Sequence, residues 1–284
     1  SKMFLSDLPM LWMFLAVLNS AIWAYRKSGS SVSIRSPFTS HWTIVGAVFA
    51  LAALVRSQVL VILPVLMLAI LLRRKPENRA KILTWIGLCG AIVLVLAPAL
   101  IRSRVITGTF ALEDTSIHGF ELPRRLSGNP NYEPTRIKGE NDEEFMDRMS
   151  AELIRFATSR PRETVSFILN HWTKALSESM LVLPLGIDPT LTWRERTDPS
   201  YQDITRRMND TPAGIFYPLI AVAFLGIAVS WKRGGWIVGA SCALYLLSSA
   251  FGRYSGWRFN LPADWFMVVY VGLGISALDE YFRA

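Results

Sequence analysis

The chain has 284 residues, 51% of them hydrophobic, with 10 Trp, 15 Phe and a mean hydropathy of +0.31. That composition argues against an ordinary soluble domain and against a disordered chain, and it calls for several membrane-embedded segments. The formal net charge of +8 is uneven: residues 102–211 carry 15 basic and 17 acidic residues and the remainder 15 basic and 5 acidic, so anionic headgroups account for the excess, and the lack of a basic patch interleaved with aromatics argues against nucleic acid as a partner.

The chain opens Ser1-Lys2 and runs at once into apolar sequence. A first residue other than Met points to sequence upstream. Leu5–Tyr25 has no small-residue cleavage site and reads as a retained span rather than a signal peptide. Asp7, near its start, is either a helix cap or an active-site carboxylate, and both roles can coexist.

Next come Trp42–Val55 and Val59–Leu72, each short for a bilayer crossing that needs roughly 20 apolar residues, and together too long for one helix. Arg56 is the only formal charge between Trp42 and Leu72. Arg56-Ser57-Gln58 therefore reads as a break between two helices, which membrane depth tolerates where the backbone faces protein or water. Arg56 either snorkels to the interface or holds an anion such as phosphate through its guanidinium fork.

Ile82–Ile101 is the fourth span. Residues 102–211 form one sizeable external segment, too long for a plain connector. Its first part, Arg102–Glu140, is rich in Gly, Pro and Asn and reads as irregular loop. Asn141–Ser159 reads as an amphipathic helix with Asn141 or Asp142 as cap and Phe145, Met149, Leu153 and Phe156 on one face. Pro161 marks a break, and Glu163–Leu183 is a second helical pattern, expected to lie at the outer membrane surface. If it spanned instead, the sidedness of everything after it would invert.

Ala213–Trp231, Trp236–Phe251 and Pro262–Leu278 complete the spans. Between the last two, "GRYSGWRFNLPADW" places Arg253, Tyr254 and Arg258 before Pro262, either as an interfacial belt or as a second anion contact. Basic residues follow the first span (Arg26, Lys27, Arg35), Leu72 (Arg73 to Lys81) and Trp231 (Lys232, Arg233). Placing these three loops in the cytoplasm puts Asp7, Arg56, 102–211 and 252–261 outside and the C-terminus inside.

The expected fold is all-α: a polytopic membrane helical bundle with a mixed helix and loop external segment. It divides into 1–101, membrane helices with a broken pair at 42–72; 102–211, external; and 212–284, membrane helices. Cys89 and Cys242 read as free buried thiols. His41, His118 and His171 lack zinc-ligand spacing. There is no glycine-rich phosphate loop, no nucleophile elbow and no internal repeat.

Several stretches resemble the integral-membrane glycosyltransferases of the GT-C type, in particular bacterial enzymes akin to protein mannosyltransferases and aminoarabinose transferases. "GAVFALAALVRSQVLVILPVLMLAILLRR" is similar to that family's G-x-x-x-G-L-A-x-L-x-R-P segment, with Ser57 where proline is usual. "LAPALIRSRVITGTFALEDTSIHGFELPRRLSGNPNY" is similar to its P-W-x-x-R-N…G-x-F…G…G-N-N-P stretch, with Ala99 and Ser103 replacing the common aromatic and Asn. "RYSGWRFNLPADW" resembles its R-Y-R-x-P start of a late span, and "LSDLP" its S-E-P opening of an earlier one.

The resemblance implies an enzyme that moves a sugar from a polyprenyl-phosphate donor to a glycan, lipid or protein acceptor outside the cytoplasmic membrane. It implies that Arg56, Arg253, Tyr254 and Arg258 hold the donor phosphate. Arg104, His118 and Asn129 would then meet the acceptor or shape the loop, with Asp7 as a candidate catalytic acid. The family's usual catalytic carboxylate lies in a first external loop that these residues do not include. A divalent cation is compatible with the resemblance and not required by it. Two other classes would use similar residues: a transporter or flippase for lipid-linked saccharides, and a non-catalytic assembly subunit.

Overall fold

A computed structural model describes residues 4–27, 40–72, 78–108, 110, 112, 137–182, 213–231, 234–252, 262–263 and 265–283. Every regular element among them is helical. The helices are α1 (Phe4–Lys27), α2 (His41–Val55), α3 (Leu63–Leu71), α4 (Asn78–Thr107), α5 (Asp142–Ser159), α6 (Pro161–Val182), α7 (Tyr217–Val229), α8 (Gly235–Gly252) and α9 (Trp265–Arg283). Short 3-10 helices at Ser57–Ile62 and Ala213–Phe216 lead into α3 and α7. The all-α expectation is met.

Local chemistry explains the boundaries. Ser40 caps α2 by accepting from the Trp42 N–H at 3.3 Å. Asn141 caps α5 in a capping box: its side chain accepts from the Glu144 N–H at 2.9 Å while the Glu144 carboxylate accepts from the Asn141 N–H at 3.0 Å. Phe145 and Met149 are buried on the apolar face of α5. Pro161 does break the chain, and it also opens α6, two residues before the expected start, because its fixed φ suits the first helical position.

The bundle has two recognisable ends. At one, Trp23 of α1 lies against His41 at the start of α2 (centroids 4.4 Å apart, ring planes tilted by 36°), and Tyr25 meets Trp236 at the start of α8 edge-on at 6.2 Å. At the other, Gln58, just past the end of α2, bonds to Ser248 near the end of α8. Phe14 contacts Tyr245 (4.9 Å), so α1 runs antiparallel to α8 and its first residues lie at the second end. We call these the Trp236 end and the Arg56 end.

α3 and its 3-10 lead-in return from the Arg56 end over roughly 25 Å. Lys81 Nζ then donates to the Leu71 carbonyl at 3.1 Å, so α4 starts at the Trp236 end. α4 lies against α2, where a Cβ on Gly46 would fall on the Leu88 carbonyl oxygen. From Leu88 it continues to Thr107, overshooting the end of α2 by on the order of 15 Å. The sequence boundary at 101 thus falls inside a helix that carries Arg102 and Arg104 beyond the Arg56 end. α7 runs back along α8, with Gly235 closing onto Ser230 by a 3.1 Å backbone bond. It therefore starts at the Arg56 end, so the segment between α4 and α7 leaves and returns at one end.

α6 is not isolated on a surface. Its Trp172 indole donates to the Ala243 carbonyl of α8 at 2.9 Å, and Thr173, Ala175 and Leu176 are buried. The last helix also differs from expectation. A Cβ on Gly226 would meet the Tyr270 carbonyl, and one on Gly274 the Val222 carbonyl. These pairings make α9 antiparallel to α7 and packed backbone to backbone, as small residues allow. Tyr270 donates to the Gly235 carbonyl at 2.5 Å. α9 therefore begins at the Trp236 end and finishes at the Arg56 end. The expectation that Pro262–Leu278 would return the chain to the side of the basic loops is corrected: register with α7, invisible to a charge count, sets its direction.

Two helices, Asn78–Ile106 and Trp265–Arg283, are long and apolar enough to cross a membrane, and four shorter apolar helices accompany them. Along α4, Ile82, Ile86, Val93, Leu94, Ile101 and Val105 face outward.

Candidate functional site

The candidate site starts from the backbone break. α2 ends at Val55, and Arg56 adopts extended torsions (φ −156°, ψ 117°) while its N–H still bonds to the Ala52 carbonyl at 3.0 Å. The chain then tightens into Ser57–Ile62, with Val59 and Ile62 buried. The expected interruption between two helices is thus present at Arg56. Arg56 itself is half-buried, and its Nη1 atom is shielded from solvent. A guanidinium in that setting costs several kcal/mol unless charge or polar groups compensate it.

α8 supplies the polar surroundings. Gln58 Nε2 donates to Ser248 Oγ at 3.0 Å and approaches the Tyr245 carbonyl at 3.4 Å, and Ser248 Oγ donates to that same carbonyl at 2.7 Å. Ser241, Tyr245 and Ser248 fall at i, i+4 and i+7, one face of a helix whose only other hydroxyl residue is Ser249. The Tyr245 hydroxyl is buried, and Ser241 Oγ is buried with no hydrogen-bond partner among the described residues. The result is a polar seam inside an apolar bundle, closed at the Arg56 end by the break.

Sequence reasoning found Arg56 and the break but missed the α8 seam. The signal was present: three polar residues at helical spacing within "SCALYLLSS".

The other expected site residues divide. Asp7 lies in α1, seven residues before Phe14, roughly 10 Å further toward the Arg56 end; its side chain is not among the described ones. Arg104 is exposed at the end of α4, with its guanidinium 5.6 Å from the Phe110 ring centroid, a cation–π contact. His118, Asn129, Arg253, Tyr254 and Arg258 lie outside the described residues.

Of the histidines, His41 meets Trp23 at a tilt, and His171 stacks on Phe167 (4.1 Å) with Nδ1 3.0 Å from the Phe167 carbonyl. Cys89 and Cys242 are free thiols. Among the described residues no group of three or more His, Cys, Asp or Glu is arranged to hold a metal ion. An open hollow of about 540 Å³ lies between the first turns of α6 and Tyr217, and neither Arg56 nor Gln58 lines it. Comparison of the chain with family models, with curated proteins and with solved structures returns no match.

Proposed function

We propose that the chain is part of a polytopic membrane glycosyltransferase that moves a sugar from a polyprenyl-phosphate donor to an acceptor on the outer side of the cytoplasmic membrane. The observation that carries this reading is a half-buried arginine fixed at a helix break, at the same end as the start of α1 with Asp7 and the end of α8 just before Arg253. Breaking a sugar–phosphate bond builds negative charge on the leaving lipid phosphate. A guanidinium already in place stabilises that charge more in the transition state than in the ground state and needs no reorganisation. A carboxylate takes the acceptor hydroxyl proton, and Asp7 is the candidate among these residues. The 102–211 segment, leaving from and returning to this end, is suited to hold the acceptor.

The direct test is release of labelled sugar from a polyprenyl-phosphate-linked donor, with the complete protein in its native membranes. Donor consumption with sugar appearing on an acceptor supports the proposal. Movement of intact donor across the bilayer would assign a transporter, and neither activity would leave a non-catalytic assembly role.

A further inference from the structure

Arg56 stands at the head of a stretched piece of backbone. The 3-10 helix Ser57–Ile62 that follows it is 6 residues long, whereas runs of this type seldom exceed about three or four. The α form is the better hydrogen-bonded of the two. Relaxing the segment from a rise of about 2.0 Å to about 1.5 Å per residue would shorten it by about 3 Å. Both flanks are held: Gly46 of α2 lies against the Leu88 carbonyl of α4, and Val65, Leu66, Ala69 and Ile70 of α3 are buried. The shortening would therefore fall on the break and carry Arg56 with it.

Gln58 ties this segment to α8. Its Nε2 donates to Ser248 Oγ at 3.0 Å and approaches the Tyr245 carbonyl at 3.4 Å, and Ser248 Oγ donates to the same carbonyl at 2.7 Å. The chemistry fixes which way the amide lies. The carbonyl can only accept and the Ser248 proton is already directed at it, so both contacts call for the amide NH2 group and not its oxygen. A glutamate of the same length could not donate there, and a neutral amide adds no charge to the field that a phosphate at Arg56 would meet. α8 is itself anchored, by Phe14 of α1 against Tyr245 and by the Trp172 indole of α6 on the Ala243 carbonyl.

We propose that Gln58 is a positioning residue for the donor phosphate: clamped to Ser248 and Tyr245 of α8, it keeps the break stretched and so sets where the Arg56 guanidinium stands. The proposal rests on the sugar-transfer reading of Arg56. Gln58 acts through Arg56 and not on the substrate. A shift of about 1 Å in a reacting geometry can cost on the order of 10²-fold in rate, so a movement of about 3 Å is ample to matter.

The test is a double-mutant cycle on the complete protein, read as sugar transfer from a labelled polyprenyl-phosphate donor per amount of folded protein. Gln58→Leu should lower kcat roughly 10-fold with donor KM nearly unchanged, because Arg56 acts on charge that develops in the transition state. In an Arg56→Ala background the same change should cost less than about twofold, since two residues that act as a unit are not additive. Ser248→Ala, which removes the bond from the α8 side, should follow the same pattern and carries the test where Gln58→Leu does not fold. Ser248→Thr, which keeps the hydroxyl, should retain turnover within about twofold. Wild-type turnover in both Gln58→Leu and Ser248→Ala, or an undiminished loss with Arg56 already replaced, would overturn the positioning role and leave the sugar-transfer reading standing. No donor turnover by the wild-type protein would end both.

Discussion

Gln58 connects the break to α8 through a side-chain bond spanning 190 residues of sequence. In an apolar bundle that bond fixes where the break sits, because slipping by one turn would leave both polar groups without each other. Its loss should cost about 0.5–1.5 kcal/mol, the ordinary worth of one such bond. Gln58→Leu and Ser248→Ala should each lower the thermal midpoint in detergent, and the double variant should lower it by less than the sum, since both remove one interaction. Strict additivity would show that the bond contributes nothing. Ser248→Ala should be the larger single change, because it removes both the bond from Gln58 and the Ser248 donation to the Tyr245 carbonyl in its own helix. At this scale the sequence was half legible. A lone arginine in a 31-residue apolar stretch announces itself. The α8 residues that Gln58 meets do not, because Ser and Tyr are unremarkable in membrane helices until their common face is counted.

Among the elements, the break between α2 and α3 and the cap of α5 follow from local chemistry and were readable: an isolated polar triplet in one case, an Asn with Glu three residues on in the other. Helix direction was not readable in the same way. Nothing in "YPLIAVAFLGIAV" or "WFMVVYVGLGISALDEYFR" states that Gly226 and Gly274 oppose each other's helix backbones. That pairing is a matter of register between segments far apart in sequence, whereas charge counts act on loops. It gives a contrast within one helix. Gly274→Ala and Gly226→Ala should destabilise by roughly 1–3 kcal/mol or more, since the obstacle is rigid backbone. Gly272→Ala, with open space around it, should be neutral or stabilising by up to about 1 kcal/mol. Thermal unfolding in micelles checks both, and equal effects at 272 and 274 would contradict the α7–α9 contact.

For the whole molecule, charge and direction combine. Arg26, Lys27 and Lys81 gather toward the Trp236 end, as the sequence led one to expect of the basic flanks. The sequence also put the C-terminus with them, whereas α9 carries Arg283 to the Arg56 end. Single cysteines at 26 and 283, in a background with Cys89 and Cys242 replaced by Ala, decide between the two. A membrane-impermeant thiol reagent applied from one side should label one position and not the other. Labelling of both from one side would reinstate the sequence's topology. The sugar-transfer reading rests on one residue, so the measurement that tests it most directly is donor turnover by Arg56→Ala and Arg56→Lys variants of the complete protein, at matched expression. Turnover should fall roughly 10²–10³-fold in the Ala variant, the scale seen when one preorganised donor to developing charge is removed. Lys, which keeps the charge but loses the planar fork, should fall sharply too. Turnover at the wild-type rate in the Ala variant would contradict the account.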